Sequence, residues 1–205
     1  MKSMQETVCI TPRFDFLVTP IAGVWQVRRK PIMDARGFFA RAYCADEFQA
    51  IGLIQPIVQI NHSYSRAAGT VRGLHFQHPP HHETKIVSCP VGRIYDVAVD
   101  LRQGSPTYLQ AFGAELSAEN RMSLVIPPGC AHGFQALCDD AETQYYVTSP
   151  YHGAAEDGLN PLDPILAIRW PLAVTELSDR DAQRTLIDPV TYAGIAGPFE
   201  GNFSD

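Results

Sequence analysis

The sequence has no long apolar run, and no stretch approaches the roughly 18 apolar residues that a membrane-spanning helix needs. Residues 1–7 also lack the apolar core of a signal peptide. No run of like charge stands out, and the formal net charge of −6 comes without the basic patch that nucleic-acid binders usually carry. We therefore expect a cytoplasmic protein that binds neither membranes nor nucleic acids.

Two further scarcities concern cysteine pairs and lysine. The five cysteines form no CxxC pair, their number is odd and their spacing is irregular, which favours free thiols over a disulfide framework or a Cys metal site. Only three lysines, Lys2, Lys30 and Lys85, stand against thirteen arginines. Because lysine is scarce, its presence at the start of the apolar run Lys85-Ile-Val indicates a specific role for Lys85. By contrast, histidine is concentrated, because four of the seven lie between His75 and His82.

The 205 residues, 45% of them hydrophobic, suit one globular domain with a sizeable core, residues 1–205, in which 198–205 form a loose tail. Sixteen prolines and fifteen glycines are spread along the chain and disfavour long helices. Short β-branched and apolar segments between them predict strands at residues 56–61, 85–89, 93–101, 107–116 and 122–126. Many short strands at close spacing favour a sandwich or barrel of jelly-roll type.

Alternation and helix signals refine this mainly β prediction. Within 93–101 the pattern places Tyr95, Val97, Val99 and Leu101 on one face of a strand. A short helix is predicted over 45–51, with two acidic residues in its first turn and a glycine after its end. A second is predicted within 177–187, near the C-terminus, with Ser178 as its N-cap.

The histidines raise the question of a metal. Gly69 followed by His75, and later Pro127-Pro-Gly-Cys-Ala-His132, are similar to the two motifs of cupins, which are double-stranded β-helix barrels. Metal-binding cupins carry His-x-His and then a glutamate, but Gln77 stands at the second histidine position. Glu83 is the candidate carboxylate, and Lys85 beside it would repel a cation. We expect no bound metal, and we interpret 78–82 as a polar loop; a metal-dependent cupin enzyme is an alternative.

A longer ordered set of motifs runs through most of the chain. Its members are Asp34-Ala-Arg-Gly-Phe-Phe39, Gln59-Ile-Asn-His-Ser63, Val71-Arg-Gly-Leu-His-Phe-Gln77, Lys85-Ile-Val87, 92–102, Ser105-Pro-Thr107, Leu116-Ser-Ala-Glu-Asn120, 126–134, Ile168-Arg-Trp-Pro171 and Leu177-Ser-Asp-Arg-Asp181. Together they resemble the dTDP-4-dehydrorhamnose 3,5-epimerase family of dTDP-sugar epimerases, over residues 18 to 188. The resemblance implies a metal-independent, cupin-like jelly-roll barrel without an organic cofactor, usually a homodimer.

The activity implied is that of an isomerase. It would epimerise a nucleoside-diphosphate 4-keto-6-deoxyhexose at C3 and C5, in deoxysugar biosynthesis of the L-rhamnose type. Removing a proton beside a ketone requires a base, a donor at the ketone oxygen that stabilises the enolate, and an acid on the opposite face. The resemblance assigns these roles to His75, Lys85 and Tyr145, respectively.

The chemistry of each residue fits its assignment. Histidine is the natural base near neutral pH, and a carboxylate partner, here Asp181, holds the imidazole tautomer. His132 is expected to line the same pocket and to assist Lys85 by hydrogen bonding. Tyr146 competes with Tyr145 for the role of acid, because it replaces a lysine of the family pattern.

Substrate binding is assigned mainly to arginines and polar side chains. Arg36 and Arg72 match family positions near the diphosphate, and guanidinium forks suit phosphate oxygens. The segment Arg36-Gly-Phe38 is implied to reach the partner subunit's site, where Phe38 would stack or pack by the base. The remaining positions assigned to base and sugar contacts are Gln59, Asn61, Ser63 and Tyr151.

Several departures from the family pattern leave alternatives open. Arg41 stands where the family commonly has a glutamate that reads thymine, and arginine can donate hydrogen bonds but not accept them. Pro150, Tyr146 and 161–163 also differ near the sugar pocket. One alternative is a mono-epimerase, at C3 or C5 only, that acts on a CDP- or GDP-linked 4-keto deoxysugar. A second is a non-catalytic module that binds sugar nucleotides.

Overall fold

The computed structural model describes residues 7–197 and 199. Its described part contains fourteen strands and two short α-helices. In chain order they are β1 (Thr7–Ile10), β2 (Phe14–Val18), β3 (Trp25–Arg29), β4 (Ile32–Asp34), β5 (Gly37–Phe39), α1 (Ala45–Phe48), β6 (Gln59–Ser65), β7 (Val71–Gln77), β8 (Lys85–Val91), β9 (Arg93–Asp100), β10 (Ala111–Ser117), β11 (Met122–Ile126), β12 (Cys130–Ala136), β13 (Ala141–Val147), β14 (Glu156–Gly158) and α2 (Asp179–Ala182). The mainly β prediction is confirmed.

The strands form two large sheets and a separate hairpin. The seven-stranded sheet has the order β1-β2-β3-β11-β8-β13-β6, and the five-stranded sheet has the order β10-β9-β12-β7-β14. The hairpin consists of β4 and β5. Neighbouring strands of each sheet pair antiparallel, and many neighbours are distant in sequence, as in jelly-roll folds.

Three apolar clusters hold these layers together. The first lies between the sheets and includes Val87, Ile94, Leu124 and Phe134. The second covers the other face of the five-stranded sheet, where the predicted side-chain row of β9, from Tyr95 to Leu101, packs against the C-terminal segment. That alternation is therefore confirmed. The third cluster, which includes Phe14, Phe16 and Phe48, packs the α1 region onto the other face of the seven-stranded sheet.

The predicted strand bounds were right in the centre of the sheets and wrong at two edges. Strand β11 matches 122–126 fully, whereas the strand predicted at 56–61 is β6, Gln59–Ser65. The strand predicted at 107–116 begins only at Ala111, because the hydroxyls of Ser105 and Thr107 both donate to Asp100 Oδ2 at 2.6 Å and hold a turn. The sequence pattern did not predict β1 to β5, β7, β12, β13 or β14 as strands.

Both predicted helices exist but are shorter. The first is α1, followed by a 3₁₀ turn at Gln49–Ile51 and by Gly52 at a left-handed φ of 80°. The second is α2, and Ser178 is its N-cap, accepting from the backbone N–H of Asp181 at 3.1 Å. The predicted tail, 198–205, lies outside the described residues except for Phe199. Among the described residues, no helix is long and apolar enough to cross a membrane.

Two glycines let β7 and β12 approach each other closely next to His75 and His132. A Cβ on Gly73 would lie 2.6 Å from the Cα of Gly133, and a Cβ on Gly133 would lie 2.8 Å from the carbonyl oxygen of Arg72. Such distances exclude a side chain at either position. The register shifts at this point, between His132 and Phe134, and His132 pairs directly with His75.

Candidate active site

A cavity of about 1160 Å³ is lined by both sheets. The five-stranded sheet contributes side chains from β7 and β12, and the seven-stranded sheet contributes side chains from β6, β8 and β13. Further parts of the wall come from the segment that leads into α2, from Ser149 and Tyr151 after β13, and from Glu156 on β14. Of the predicted site residues, the cavity brings together His75, Asp181, Lys85, Tyr145, His132, Gln59, Asn61, Ser63, Arg72 and Tyr151.

His75 and Asp181 form a close pair in this cavity. The two residues are 106 positions apart, and Nε2 of His75 lies 2.7 Å from Oδ1 of Asp181. Because a carboxylate accepts, Nε2 carries the proton of this bond, which leaves the other ring nitrogen as the basic one. Burial acts to raise the pKa of Asp181, but the bonds from His75 and its other donors outweigh it and keep that pKa below the usual value. The aspartate is therefore ionised near neutral pH and orients the imidazole.

The position of Asp181 depends on the local structure around α2. Ser178 caps the helix at the turn that carries Asp181, and the backbone N–H of Gly73 lies 3.4 Å from Oδ2 of Asp181. Arg180 forms an ion pair of 2.8 Å with Glu156 on β14, the strand that pairs with β7. The helix is thus tied to the strands that hold His75.

Tyr145 and Tyr146 point to opposite faces of β13. Tyr145 lines the cavity, and its ring centroid lies 6.5 Å from that of His132. Burial raises the pKa of the Tyr145 phenol, so the group keeps its proton near neutral pH. Tyr146 instead stacks with Tyr43 on the far side of the sheet and donates to Gln144 Oε1 at 2.9 Å. The geometry therefore favours Tyr145 over Tyr146 as a group that can reach a ligand.

Lys85 and His132 each have a carboxylate partner that the sequence did not reveal. The ammonium of Lys85 donates to Oε1 of Glu83, and His132 Nε2 lies 2.7 Å from Oδ1 of Asp96. Asp96 is fully buried, and burial raises its pKa in spite of the nearby His132. The sequence did indicate the direction of the Asp96 side chain. Asp96 lies two residues from both Ile94 and Ala98, which face the core, so its side chain is expected to face the core as well.

The Glu83 site does not suit a metal ion. Both carboxylate oxygens face N–H donors, since Lys85 donates to Oε1 and Gln77 Nε2 donates to Oε2 at 2.9 Å. Within residues 7–197 and 199, no three His, Cys, Asp or Glu side chains are grouped so that they could hold a metal ion. The chemistry of the donor set thus agrees with the argument from Gln77 and Lys85 in the sequence.

One wall of the cavity is polar. Alternate residues of β6, namely Gln59, Asn61 and Ser63, face inward, and Gln59 Nε2 donates to Asn61 Oδ1 at 2.8 Å. Tyr151 lies at this side, where its hydroxyl donates to Glu156 at 2.9 Å and its backbone N–H to Gln59 at 3.2 Å. These groups offer both donors and acceptors to a polar ligand.

Arg72 adds positive charge, but the other predicted arginines lie elsewhere. Arg72 lines the cavity and donates to the carbonyl oxygen of Tyr64 at 2.8 Å. Arg36 is exposed and pairs with Asp34, and Arg41 pairs with Glu47 at 2.9 Å. Phe38 is exposed under the guanidinium of Arg121, at 4.7 Å from the ring centroid. The single chain does not bring Arg36, Phe38 or Arg41 to its own cavity, so their roles stay predictions.

Comparisons with known proteins agree with this geometry. The family model described as dTDP-4-dehydrorhamnose 3,5-epimerase matches residues 18–188. A dTDP-4-dehydrorhamnose 3,5-epimerase of Sinorhizobium fredii is 42% identical over 80% of this chain and 85% of the relative. A dTDP-4-dehydrorhamnose 3-epimerase of Streptomyces niveus is 40% identical over 85% of this chain and 84% of the relative.

A solved structure extends the likeness to three dimensions. It is a dTDP-6-deoxy-D-glucose-3,5-epimerase of Legionella pneumophila in complex with dTDP-4-keto-L-rhamnose. It superposes with a TM-score of 0.81 at 39% identity, over 84% of this chain and 92% of the other.

Proposed function

The chain belongs to the dTDP-4-dehydrorhamnose 3,5-epimerase family, and from this premise we propose that it epimerises a dTDP-linked 4-keto-6-deoxyhexose at C3 and C5. It is an isomerase with the cupin-like jelly-roll fold of that family. The observation that carries the proposal is the placement of His75 and Tyr145, which lie on facing sheets of one cavity. The comparisons support a dTDP sugar and give no support to a CDP- or GDP-linked one.

The mechanism follows from the arrangement of the side chains. His75, oriented by Asp181, takes the proton from the carbon beside the C4 ketone. Negative charge then develops on the ketone oxygen, where an N–H of Lys85 donates and stabilises the enolate. Tyr145 delivers its proton to the opposite face of that carbon, and the configuration inverts. Before the second carbon reacts, His75 releases the proton it gained to water, and Tyr145 regains a proton from water.

The remaining groups bind and shape the substrate. His132 on β12 pairs in register with His75 on β7 and would assist Lys85 by hydrogen bonding. Arg72 suits the negatively charged diphosphate, because a guanidinium can form paired hydrogen bonds to its oxygens. Gln59, Asn61 and Ser63 suit the polar edges of base and sugar, and Tyr151 closes the same side.

Solvent deuterium uptake tests this function. The purified protein is incubated in D₂O with a dTDP-linked 4-keto-6-deoxyhexose, and C3 and C5 are followed by NMR. We expect deuterium at both carbons, with CDP- and GDP-linked analogues as comparison substrates. Uptake at one carbon would identify a mono-epimerase. Binding without any uptake would identify a non-catalytic module and contradict the proposal.

The hairpin supports a homodimer. Its two strands form a sheet of their own, and Met33, Phe38 and Phe39 are 63%, 55% and 63% exposed. Isolated hairpins are marginally stable, and clustered apolar side chains on a surface mark an interface. A second copy that covers the hairpin would also bring Arg36 and Phe38 towards a partner's cavity.

Sedimentation equilibrium tests the dimer. We expect a dimer mass for the wild type at micromolar concentration and a shift towards monomer for Phe39→Glu. A wild-type monomer would contradict the proposal.

We further assign the enzyme to the cytoplasm, because all five cysteines are free thiols, as is usual in a reducing compartment. Recovery of the protein outside the cytoplasmic fraction would refute that assignment.

A further inference from the structure

Glu83 and Lys85 lie two residues apart where the chain enters β8. Between them, the backbone N–H of Thr84 donates to Thr148 Oγ1 at 2.9 Å, and the N–H of Thr148 donates to the Thr84 carbonyl at 3.2 Å. In extended chain, alternate side chains share a face, so both reach the cavity wall. Glu83 is 9% exposed and Lys85 is 8% exposed, and they form a direct ion pair.

The Glu83 carboxylate is fixed from its other side. Gln77 Nε2 donates to Oε2 of Glu83 and to the carbonyl oxygen of His81, in both cases at 2.9 Å. Oε1 of Gln77 accepts from the backbone N–H of His152 at 2.6 Å. This chain of bonds leaves the carboxylate one orientation, with Oε1 towards Lys85.

The other titratable groups around Lys85 supply no negative charge. They are Tyr145 on β13, Cys130 and His132 on β12, and His75 on β7. Burial raises the pKa of the Tyr145 phenol, and it raises that of the Cys130 thiol to about 12, so both are neutral. Imidazoles are neutral or positive.

The remaining carboxylates of the cavity wall have partners of their own. Asp181 is bound by His75, Glu156 by Arg180, and Glu176 accepts from Thr70 Oγ1 at 3.3 Å. Of the described carboxylates that line the cavity, Glu83 is therefore the one paired with Lys85.

We propose that Glu83 is a positioning residue, which keeps Lys85 charged and engages one of its N–H groups so that the other two can donate to the ketone oxygen. This inference rests on the proposed function, since the ketone belongs to that substrate. A buried ammonium without a counter-charge readily loses its proton. A neutral amine stabilises an enolate far less than an ammonium does. The ion pair with Glu83 therefore maintains the ability of Lys85 to stabilise the enolate.

The first test is the pH–rate profile of Glu83→Gln, which preserves size and removes charge. We expect kcat to fall by about tenfold at neutral pH, since the loss of a charged hydrogen bond is worth about that factor. KM should change little, and the loss should deepen as pH rises, because the unpaired ammonium deprotonates more easily. Glu83→Asp keeps the charge and should restore the shape of the profile. Glu115→Gln, an exposed carboxylate on β10, is the matched control.

The second test needs no substrate. Lys2, Lys30 and Lys85 are the only lysines of the sequence, so acetylation by acetic anhydride can be assigned to each by mass spectrometry. Because the reagent attacks uncharged amines, we expect Lys85 to become labelled at lower pH in Glu83→Gln than in the wild type. The labelling of Lys30, which pairs with Asp15, should not move. Gln77→Leu, which frees the carboxylate without removing it, should shift Lys85 labelling in the same direction by less.

The outcomes separate the two proposals. A wild type that takes up no deuterium refutes the proposed function, and the labelling still decides whether Glu83 sets the charge of Lys85. In an active enzyme, unchanged labelling and a kcat loss that is equal at every pH would overturn the role of Glu83. A Glu83→Gln variant with wild-type kcat would overturn it as well.

Discussion

Replacing His75 with alanine is expected to abolish solvent exchange at C3 and C5 and to lower kcat by about a thousandfold or more, a loss within the range for a general base. The ring of His75 lies 2.7 Å from the carboxylate of Asp181, and the bonds from His75 and other donors keep the pKa of that carboxyl below its usual value. Because proton removal begins the reaction at each carbon, no later group can compensate. Deuterium incorporation, followed by NMR, measures the loss directly.

The control for this variant is His78→Ala. His78 lies three residues further on, is half-exposed and faces Asp157 at 3.3 Å rather than the cavity. It should keep near-wild-type exchange. Normal exchange in a folded His75→Ala protein, with circular dichroism and melting temperature unchanged, would remove His75 from the role of base.

Replacing Tyr145 with phenylalanine is expected to lower kcat for epimerisation by about 10²- to 10⁴-fold, the usual range for a general acid. The change removes one hydroxyl from a partly buried ring and leaves the packing of the cavity wall largely intact. Substrate affinity should change little, since Arg72 and the polar wall of β6 remain. Steady-state kinetics with the dTDP-linked 4-keto sugar gives both parameters.

Tyr146→Phe is the matched control for that variant. It removes the same atom one residue away, on the face of β13 that packs against Tyr43 and away from the cavity. We expect near-wild-type kcat. A large loss in Tyr146→Phe, with none in Tyr145→Phe, would reverse the assignment of the acid.

The sequence predicted those site residues whose role can be recognised from the local sequence alone. His75 and Lys85 lie in motifs of the family and Tyr145 is assigned by the same resemblance, in each case without any knowledge of the residue's spatial neighbours. The fold class followed from turn spacing and short apolar runs, because these depend on local sequence. Ser178 was predicted as an N-cap for the same reason, and the structure confirms it.

Partners across the sheets could not be predicted in this way. The contact of His132 with Asp96 depends on the register of β12 against β9, which no local pattern specifies. The pairing of Glu83 with Lys85 depends on Gln77, which reaches across from β7 to fix the carboxylate. From the sequence, Glu83 was considered only as the carboxylate of a metal site, which Gln77 and Lys85 argued against, and its contact with Gln77 was not predicted.

The hairpin shows another limit. Its residues Arg36 and Phe38 were predicted from the family resemblance, but no contact within one chain brings them to the cavity. Their expected site would be that of a second copy. In the proposed homodimer, the exposed apolar side chains of the hairpin are the part of that site that one chain shows.

The central claim is that His75 and Tyr145 act on one substrate from opposite walls, and Tyr145→Phe in D₂O tests it most directly. With His75 intact and the acid removed, protons should still leave and return on one face. NMR should then show deuterium in the substrate with its configuration retained, and epimer forming at least about a hundredfold more slowly than with the wild type. Epimer formed at the wild-type rate would contradict the account.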